Sequence, residues 1–354
     1  MPLGPCQAHC ALSFVDPTAR ISRMTWNVVG HAWAIRALQR DLTLGRPSHA
    51  YLFAGPAGIG KRTLAMAFAQ ALNCTAPPAP GEACGACRAC RQIAARTHPD
   101  LFLLLPQEPG KPIKVEAARE MMHMLALSPL ELQWRVGLLA DFDQATSSTA
   151  NALLKTLEEP PASVILLLTA ESAETLPPTI VSRCRVITLR TLPTPEVETA
   201  LIDRWQVPPD RAKLLAHLSG GRLGWALREV EDEGASQARR DMLEAWRAVF
   251  TSNRAKRFEQ VARLTKDRDE EQALRRTMEM WQSLTHDLLL AGIDSQAPLT
   301  NLDYADEIRA LATHIPAARA RRWLAALQRV ERGIERNLNL RLALEAALLE
   351  APLL

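Results

Sequence analysis

No cationic leader followed by a long apolar stretch opens this chain, and no run of about 18 apolar residues occurs anywhere in it. The first absence leaves no secretory signal in residues 1–23. The second argues against a membrane span, so the cytoplasm is the expected compartment. A strong charge of either sign is missing too. A formal net charge of +3 over 354 residues is too small to argue for nucleic-acid binding by itself, so any DNA contact has to be local. There is no internal repeat, and no low-complexity tract is longer than the Pro-rich residues 75–80. What remains is ordinary globular composition, 47% hydrophobic and 23% charged, in a chain long enough for two or three domains with their own cores.

Cysteines are few, seven in all, yet four of them cluster. Cys74, Cys84, Cys87 and Cys90 are separated by nine, two and two residues. In a reducing compartment clustered cysteines point to metal rather than to disulfides. Two-residue gaps let successive thiolates converge on one tetrahedral ion, and a fourth ligand from a short flexible segment closes the site, as structural zinc requires. The expectation is a structural Zn²⁺ on these four residues, with no open coordination position. His98, in Thr97-His98-Pro99-Asp100, is expected to make the turn into the next strand rather than to be a further ligand. Cys6 and Cys10 fall in residues 1–23, an N-terminal extension without clear periodicity and a candidate for disorder, with Met24 a sensible alternative start.

From Trp26 to about Arg190, short apolar runs alternate with helical patterns, the signature of a parallel α/β sheet. Residues 51–54, 101–105, 136–140, 164–169 and 186–189 are nearly continuous in apolar side chains, as strands buried on both faces should be. Leu64, Phe68 and Leu72 recur every four residues, and Ala150, Leu153, Leu154 and Leu157 follow i, i+3, i+4, i+7, which predicts helices with one face on the sheet. Leu192-Pro193-Thr194-Pro195 ends this region, and no strand pattern returns. Residues 195–236 read as short helices broken at Pro208-Pro209 and Gly220-Gly221. Longer amphipathic helices come next, interrupted near residues 292–298 and at Pro316. The last, around residues 338–349, is apolar on most of its circumference and is expected to be buried against other helices or a partner chain. The expected divisions are an extension of residues 1–23, an α/β domain of residues 24–190 with the cysteine insertion at 74–90, a small helical domain of 191–236 and a larger one of 237–354. Arg254, Lys256 and Arg257, like Arg319, Arg321 and Arg322, lie at helical spacing with acids nearby and read as solvated faces.

Gly55-Pro56-Ala57-Gly58-Ile59-Gly60-Lys61 follows a predicted strand and opens a predicted helix, the context of a phosphate-binding loop. Glycines let backbone N–H groups wrap phosphates, and the lysine reaches the terminal ones. Gly55, Gly58, Gly60, Lys61 and Thr63 are therefore candidate nucleotide-binding residues. One element departs from the pattern. The position after Lys61 should carry a hydroxyl for Mg²⁺ and is Arg62, while Thr63 comes one residue late, about 100° round the helix. The third predicted strand leads into Asp141-Phe142-Asp143-Gln144. Its two acids either serve a metal and the attacking water or merely start a loop and cap the next segment, and the residues alone leave both open.

Trp26-Asn27-Val28-Val29-Gly30-His31, the glycine loop, the four cysteines, Thr97-His98-Pro99-Asp100, the block from Asn151-Ala152-Leu153-Leu154-Lys155 through Thr156-Leu157-Glu158-Glu159-Pro160-Pro161, and Ser182-Arg183-Cys184 occur in a telling order. In that order the chain resembles the bacterial DNA polymerase III clamp-loader subunits, strongly from Trp26 to Cys184 and weakly on to Asn337-Leu338-Asn339-Leu340-Arg341. The resemblance implies an α/β P-loop NTPase (AAA+) domain with a parallel sheet, followed by an all-α lid and an all-α C-terminal collar. Departures separate the family's non-motor, delta-prime type from its gamma/tau motor type. Counted back from Asn151, the family's Asp-Glu-Ala-Asp box falls on Ala140-Asp141-Phe142-Asp143, so the Mg²⁺-binding aspartate is replaced by Ala140. Asp141 stands at the catalytic glutamate's place, one methylene short. Where a motor subunit carries an arginine for the γ-phosphate, Gly221-Arg222-Leu223-Gly224-Trp225-Ala226-Leu227 places Gly224.

Arg62, Ala140 and Gly224 thus imply a site that holds ATP or ADP at most without hydrolysis. Arg183 is retained, and by resemblance it projects into a neighbour's ATP site as a catalytic arginine acting in trans. Cys184 reads as a small buried side chain. The implied partners are gamma/tau and delta subunits in a hetero-pentameric ring, the sliding clamp, and primed DNA reached through the assembly. The alternative is an active gamma/tau-type ATPase. A third reading, a regulatory AAA+ protein outside replication, is opposed by the block at residues 151–161.

Overall fold

The computed structural model describes residues 26–106, 112–232, 234–264, 271–334 and 340–353. The expectations for residues 1–23 and for Asn337, Leu338 and Asn339 lie outside them. The chain forms two compact units. One comprises the described residues up to Gly55 with Lys61–Leu189, the other Pro56–Gly60 with Arg190–Leu354.

The first unit is built on strands β1 (Ala50–Ala54), β2 (Leu101–Leu104), β3 (Arg135–Leu139), β4 (Val164–Ala170) and β5 (Arg185–Thr188). All neighbours are parallel, in the order β2-β3-β4-β1-β5. β1, β3 and β4 are buried at every position, which explains their unbroken apolar sequences. β5 departs from the expectation of burial on both faces. As an edge strand it leaves Arg185, Val186 and Thr188 exposed, and only Ile187 enters the core. Among the described residues of this unit the α-helices are α1 (Ala32–Thr43), α2 (Lys61–Leu72), α3 (Arg88–Ala94), α4 (Val115–Leu125), α5 (Ser147–Glu158) and α6 (Pro178–Val181). Leu64, Phe68 and Leu72 of α2 are buried, and Phe68 meets Tyr51 of β1 edge-on with 4.7 Å between ring centres. α5 starts where Thr146 accepts the Thr149 N–H, and it buries Ala150, Leu153 and Leu157.

A buried ion pair fixes the entry to β2 and β3. Asp100 is fully buried and accepts Nε–H of Arg135 at 3.1 Å, together with the N–H groups of Leu130, Glu131 and Leu132 at 2.8–3.1 Å. Arg135 also donates to the carbonyl of Met124 at the end of α4. Burial alone would raise the Asp100 pKa. The peptide donors and the guanidinium outweigh it and hold the carboxyl below its ordinary value.

The second unit is helical: α7 (Thr194–Trp205), α8 (Pro209–Ser219), α9 (Leu223–Glu231), α10 (Ala235–Thr251), α11 (Arg254–Leu264), α12 (Glu271–Gly292), α13 (Ala305–Ala312), α14 (Ala317–Ile334) and α15 (Leu340–Glu350). Prolines in the first turns of α7 and α8 start those helices where a missing N–H does no harm, and Gly220, left-handed, stops α8. Trp246, Trp281 and Trp323 are fully buried and form its aromatic centre with Phe250, at ring separations of 4.7–6.4 Å. α15 buries Leu344, Ala347 and Leu348 and leaves Leu342 and Leu349 exposed, so its apolar circumference is only partly covered. Arg254, Lys256, Arg319, Arg321 and Arg322 are exposed, as expected. Arg257 is not. It is 3% exposed, and its guanidinium donates to the carbonyls of Leu348, Ala351 and Pro352. The end of α15 presents carbonyls with no helical partner and a negative dipole end, and a guanidinium satisfies both.

Asp100→Ala is expected to lower the unfolding free energy by about 3–5 kcal/mol, the cost of stranding a buried guanidinium, as measured by urea denaturation. Folding depresses the Asp100 pKa, so its contribution is complete above the ordinary value of 3.8 and is lost as pH falls through the folded value. Asp100→Asn is expected to remove that part of the acid sensitivity.

Candidate nucleotide loop, boundary arginine and metal centre

The glycine loop leaves β1 at the sheet's C-terminal edge and enters α2, where open α/β sheets bind ligands. Lys61 is 7% exposed, and its Nζ donates to the carbonyl of Gly55 at 2.5 Å. Burial lowers the Lys61 pKa, against the pull of Asp141, Glu171 and Asp143, in that order. Asp141 follows β3 in a left-handed conformation, its N–H donating to Thr169 Oγ1 at 2.9 Å, and Asp143 accepts the Glu171 N–H at 3.2 Å. The two acids read from the sequence therefore gather toward Lys61, joined by Glu171, which sequence reasoning missed. Its signal was available, since Glu171 directly follows a strand and so stands on the same sheet edge. Ala140 is buried and offers no ligand. Arg62 is half-buried, its pKa lowered by burial and then by Arg96, and Thr63 is exposed.

Arg183 is at the opposite edge. It precedes β5, which pairs with β1 in parallel through Tyr51↔Arg185 to Ala54↔Thr188, while Gly55 follows β1. At about 3.3 Å per residue, that separates Arg183 from the chain's own loop by roughly 15–20 Å. Its guanidinium donates to the carbonyl of Thr179 at 2.8 Å and to Glu158 Oε1 at 2.9 Å, with side chains 35% and 53% exposed. Cys184 is half-buried against Ile180 and its neighbours, and burial pushes its thiol up to about 12. It packs there as a small apolar side chain.

The sulfurs of Cys74, Cys84, Cys87 and Cys90 lie within 4.8 Å of one another, and this group could hold a metal ion. Backbone N–H groups point at them: Cys84 N–H to Cys74 Sγ and Cys87 N–H to Cys84 Sγ, each 3.2 Å, and Cys90 N–H to Cys87 Sγ, 3.4 Å. Such donors favour thiolates. Burial would raise the Cys87 thiol, yet hydrogen bonds from Cys90 and Thr75 bring it to about 6. Cys84 is also lowered, chiefly by the Cys87 N–H, whereas burial raises Cys74 and Cys90. Sulfurs 2.3 Å from a tetrahedral ion stand about 3.8 Å apart, and Cys84 and Cys90 are 4.0 Å apart, so the donor set fits. The segment is tied down by Gln70, which donates to the Cys90 carbonyl at 2.9 Å, and by an Arg88–Glu131 contact of 3.2 Å. His98 is buried and accepts the Asp100 N–H at Nδ1, making the turn as expected.

A five-stranded parallel sheet, a glycine loop after its first strand and a helical second half define a P-loop NTPase module of the AAA+ type with a helical extension. Residues 30–193 match the family described as "DNA polymerase III, delta subunit", and residues 234–351 match "DNA polymerase III, delta subunit, C terminal". The chain belongs to this family of DNA polymerase III clamp-loader subunits, with delta-prime proteins among its relatives. It is 47% identical to DNA polymerase III subunit delta' of Pseudomonas aeruginosa over 137 residues, 39% of this chain and 42% of the relative. It is 34% identical to subunit delta' of Bacillus subtilis over 185 residues, 52% and 55% of the two chains. Against DNA polymerase III subunit tau of Escherichia coli the identity is 34% over 219 residues, 59% and 33%. The chain thus spans about half or less of the length of these relatives. A gamma-subunit-related protein of Thermotoga maritima overlaps loosely, with 16% identity, a TM-score of 0.39 and coverage of 89% and 97%.

Purified protein is expected to carry about one thiophilic ion per chain. Co²⁺ in its place should give thiolate charge-transfer absorption, and a Cys84→Ser/Cys87→Ser protein should lose both signals.

Proposed function

We propose that this chain is the non-motor, delta-prime-type subunit of a DNA polymerase III clamp loader and that Arg183 completes the ATP site of a neighbouring gamma/tau subunit. The observation that carries this reading is the distance between Arg183 and the chain's own glycine loop, at opposite edges of one sheet. About five to six residues of strand rise separate the two, so the Arg183 side chain does not reach a nucleotide on its own glycine loop. Its contact with Glu158 is exposed and worth about 0–1 kcal/mol. Arginine fingers in other P-loop systems raise rates about 10³ to 10⁵, equivalent to roughly 4–7 kcal/mol. A transferring phosphoryl group therefore outcompetes Glu158 for the guanidinium.

On this reading the glycine loop holds ATP or ADP at most without turnover, because Arg62, Ala140 and Gly224 replace the hydroxyl, the carboxylate and the arginine that hydrolysis needs. The four cysteines hold a structural Zn²⁺, which contributes on the order of 10–16 kcal/mol to ordering the insertion. Residues 24–190 form the AAA+ domain, 191–236 the lid and 237–354 the collar that joins a hetero-pentameric ring with gamma/tau and delta subunits. The ring loads the sliding clamp onto primed DNA in the cytoplasm. Among the described residues no helix is long and apolar enough to cross a membrane.

The test is a reconstituted loader carrying Arg183→Ala. Single-turnover hydrolysis at the adjoining motor site is expected to fall about 10³-fold or more, with clamp loading impaired, while Arg183→Lys, which keeps charge but not the planar fork, recovers only part. Unchanged turnover and loading would sink the arginine role. Turnover by the isolated chain that disappears in Lys61→Ala would move it to the gamma/tau ATPase type.

A further inference from the structure

The middle of the glycine loop, Pro56–Gly60, belongs to the second unit. The contact is backbone to backbone. The N–H of Gly224 donates to the carbonyl of Gly58 at 2.8 Å. Gly224 is the second residue of α9, and the first four N–H groups of a helix have no acceptor within it. Arg222, at the N-cap, makes no side-chain cap bond, so a loop carbonyl does what a capping side chain does elsewhere.

Both glycines are required by this approach. A Cβ on Gly224 would stand 2.8 Å from the Gly58 oxygen, and one on Gly58 would stand 2.9 Å from the Trp225 nitrogen. Gly58 also has φ +75°, which L residues rarely adopt. Glycine within a helix is worse than alanine by up to about 1 kcal/mol. Its presence at position 224 is accounted for by the close approach.

We propose that the Gly58–Gly224 contact is a clasp that pins the loop to α9, so that protein and not phosphate fixes the loop's conformation, and that Gly224 decides whether the loop opens to a nucleotide. This rests on the non-motor reading and sharpens it. By resemblance, a motor subunit has an arginine at this position. Here any side chain would prise the clasp apart, so the glycine is a positive requirement and not only the loss of a cation. Wrapping a phosphate needs the loop N–H groups turned onto it, and a loop pinned through its carbonyl resists that turn.

The test uses the full chain without partners. A fluorescent ADP analogue is titrated into the wild type, Gly224→Ala and Gly224→Arg, each also with Lys61→Ala, while thermal melts check the fold. Freeing one backbone hydrogen bond is expected to tighten binding to Gly224→Ala about three- to tenfold over wild type, dependent on Lys61. Equal affinity in the wild type and Gly224→Ala overturns the proposal. A second measurement needs no variant: amide hydrogen exchange at Gly224. A second helical residue has no intrahelical acceptor, so protection there reports the clasp, and exchange at the unprotected rate overturns it. Neither readout involves Arg183, so the clasp can fail while the trans arginine stands, and the reverse.

Discussion

The parallel pairing of β1 with β4 on one side and β5 on the other is the constraint on which the first unit's chemistry depends. Its register, Ala54 opposite both Ala170 and Thr188, puts Gly55 and Glu171 on one edge of the sheet, and Asp141 reaches that edge from β3 through the pairing of Leu139 with Leu168. The same register puts Arg183 at the other edge. Both strands are buried at every position, so a slip of one residue would exchange the side chains packed on the two faces of the sheet and disrupt the packing of both. The separation between loop and arginine is therefore a property of the core.

Two arginine–carboxylate pairs of nearly equal length show how burial decides the role. Arg135 and Asp100, at 3.1 Å, are shut off from water and share their charges with three peptide N–H groups and a carbonyl, so neither partner can be removed cheaply. Arg183 and Glu158, at 2.9 Å, stand in solvent, where the pair contributes little and either partner can be drawn away. The first pair is suited to anchoring the segment that faces the cysteine insertion through Glu131 and Arg88. The second leaves its guanidinium able to change partners at little cost.

Much of the sheet was legible because strands buried on both faces announce themselves as unbroken apolar runs. The glycine loop was legible because its residues must be contiguous. The cysteine cluster was legible because two-residue gaps bring thiolates together whatever surrounds them. The features that escaped depend on contacts distant in sequence. Arg257 carries the same local pattern as its exposed neighbours, and only the return of the chain end at Leu348 to Pro352 makes it a buried cap. The exposure of β5 depends on its place in the strand order. Glu171 lacked only the inference that a residue after β4 shares an edge with one after β3. The Gly58–Gly224 contact joins positions 166 residues apart, and each glycine taken alone reads as an ordinary loop or helix residue.

The electrostatics around Lys61 bear on why the glycine loop persists without the rest of a hydrolytic site. A buried ammonium with no counter-charge would be costly enough to lose its proton or unfold its surroundings. In an ATPase the nucleotide's phosphates supply that counter-charge. Here Asp141, Glu171 and Asp143 supply it from the sheet edge, and the Gly55 carbonyl takes one of its protons in a hydrogen bond. Lys61 is thus partly compensated by its own chain, burial still outweighing the three carboxylates. Bound phosphate would have to displace that arrangement while Ala140 leaves no carboxylate to hold a Mg²⁺ ion that could offset the added negative charge. Partial compensation of the lysine charge and the Gly58–Gly224 hydrogen bond both tie the loop to its own chain. Both are features on which the proposed non-motor reading draws.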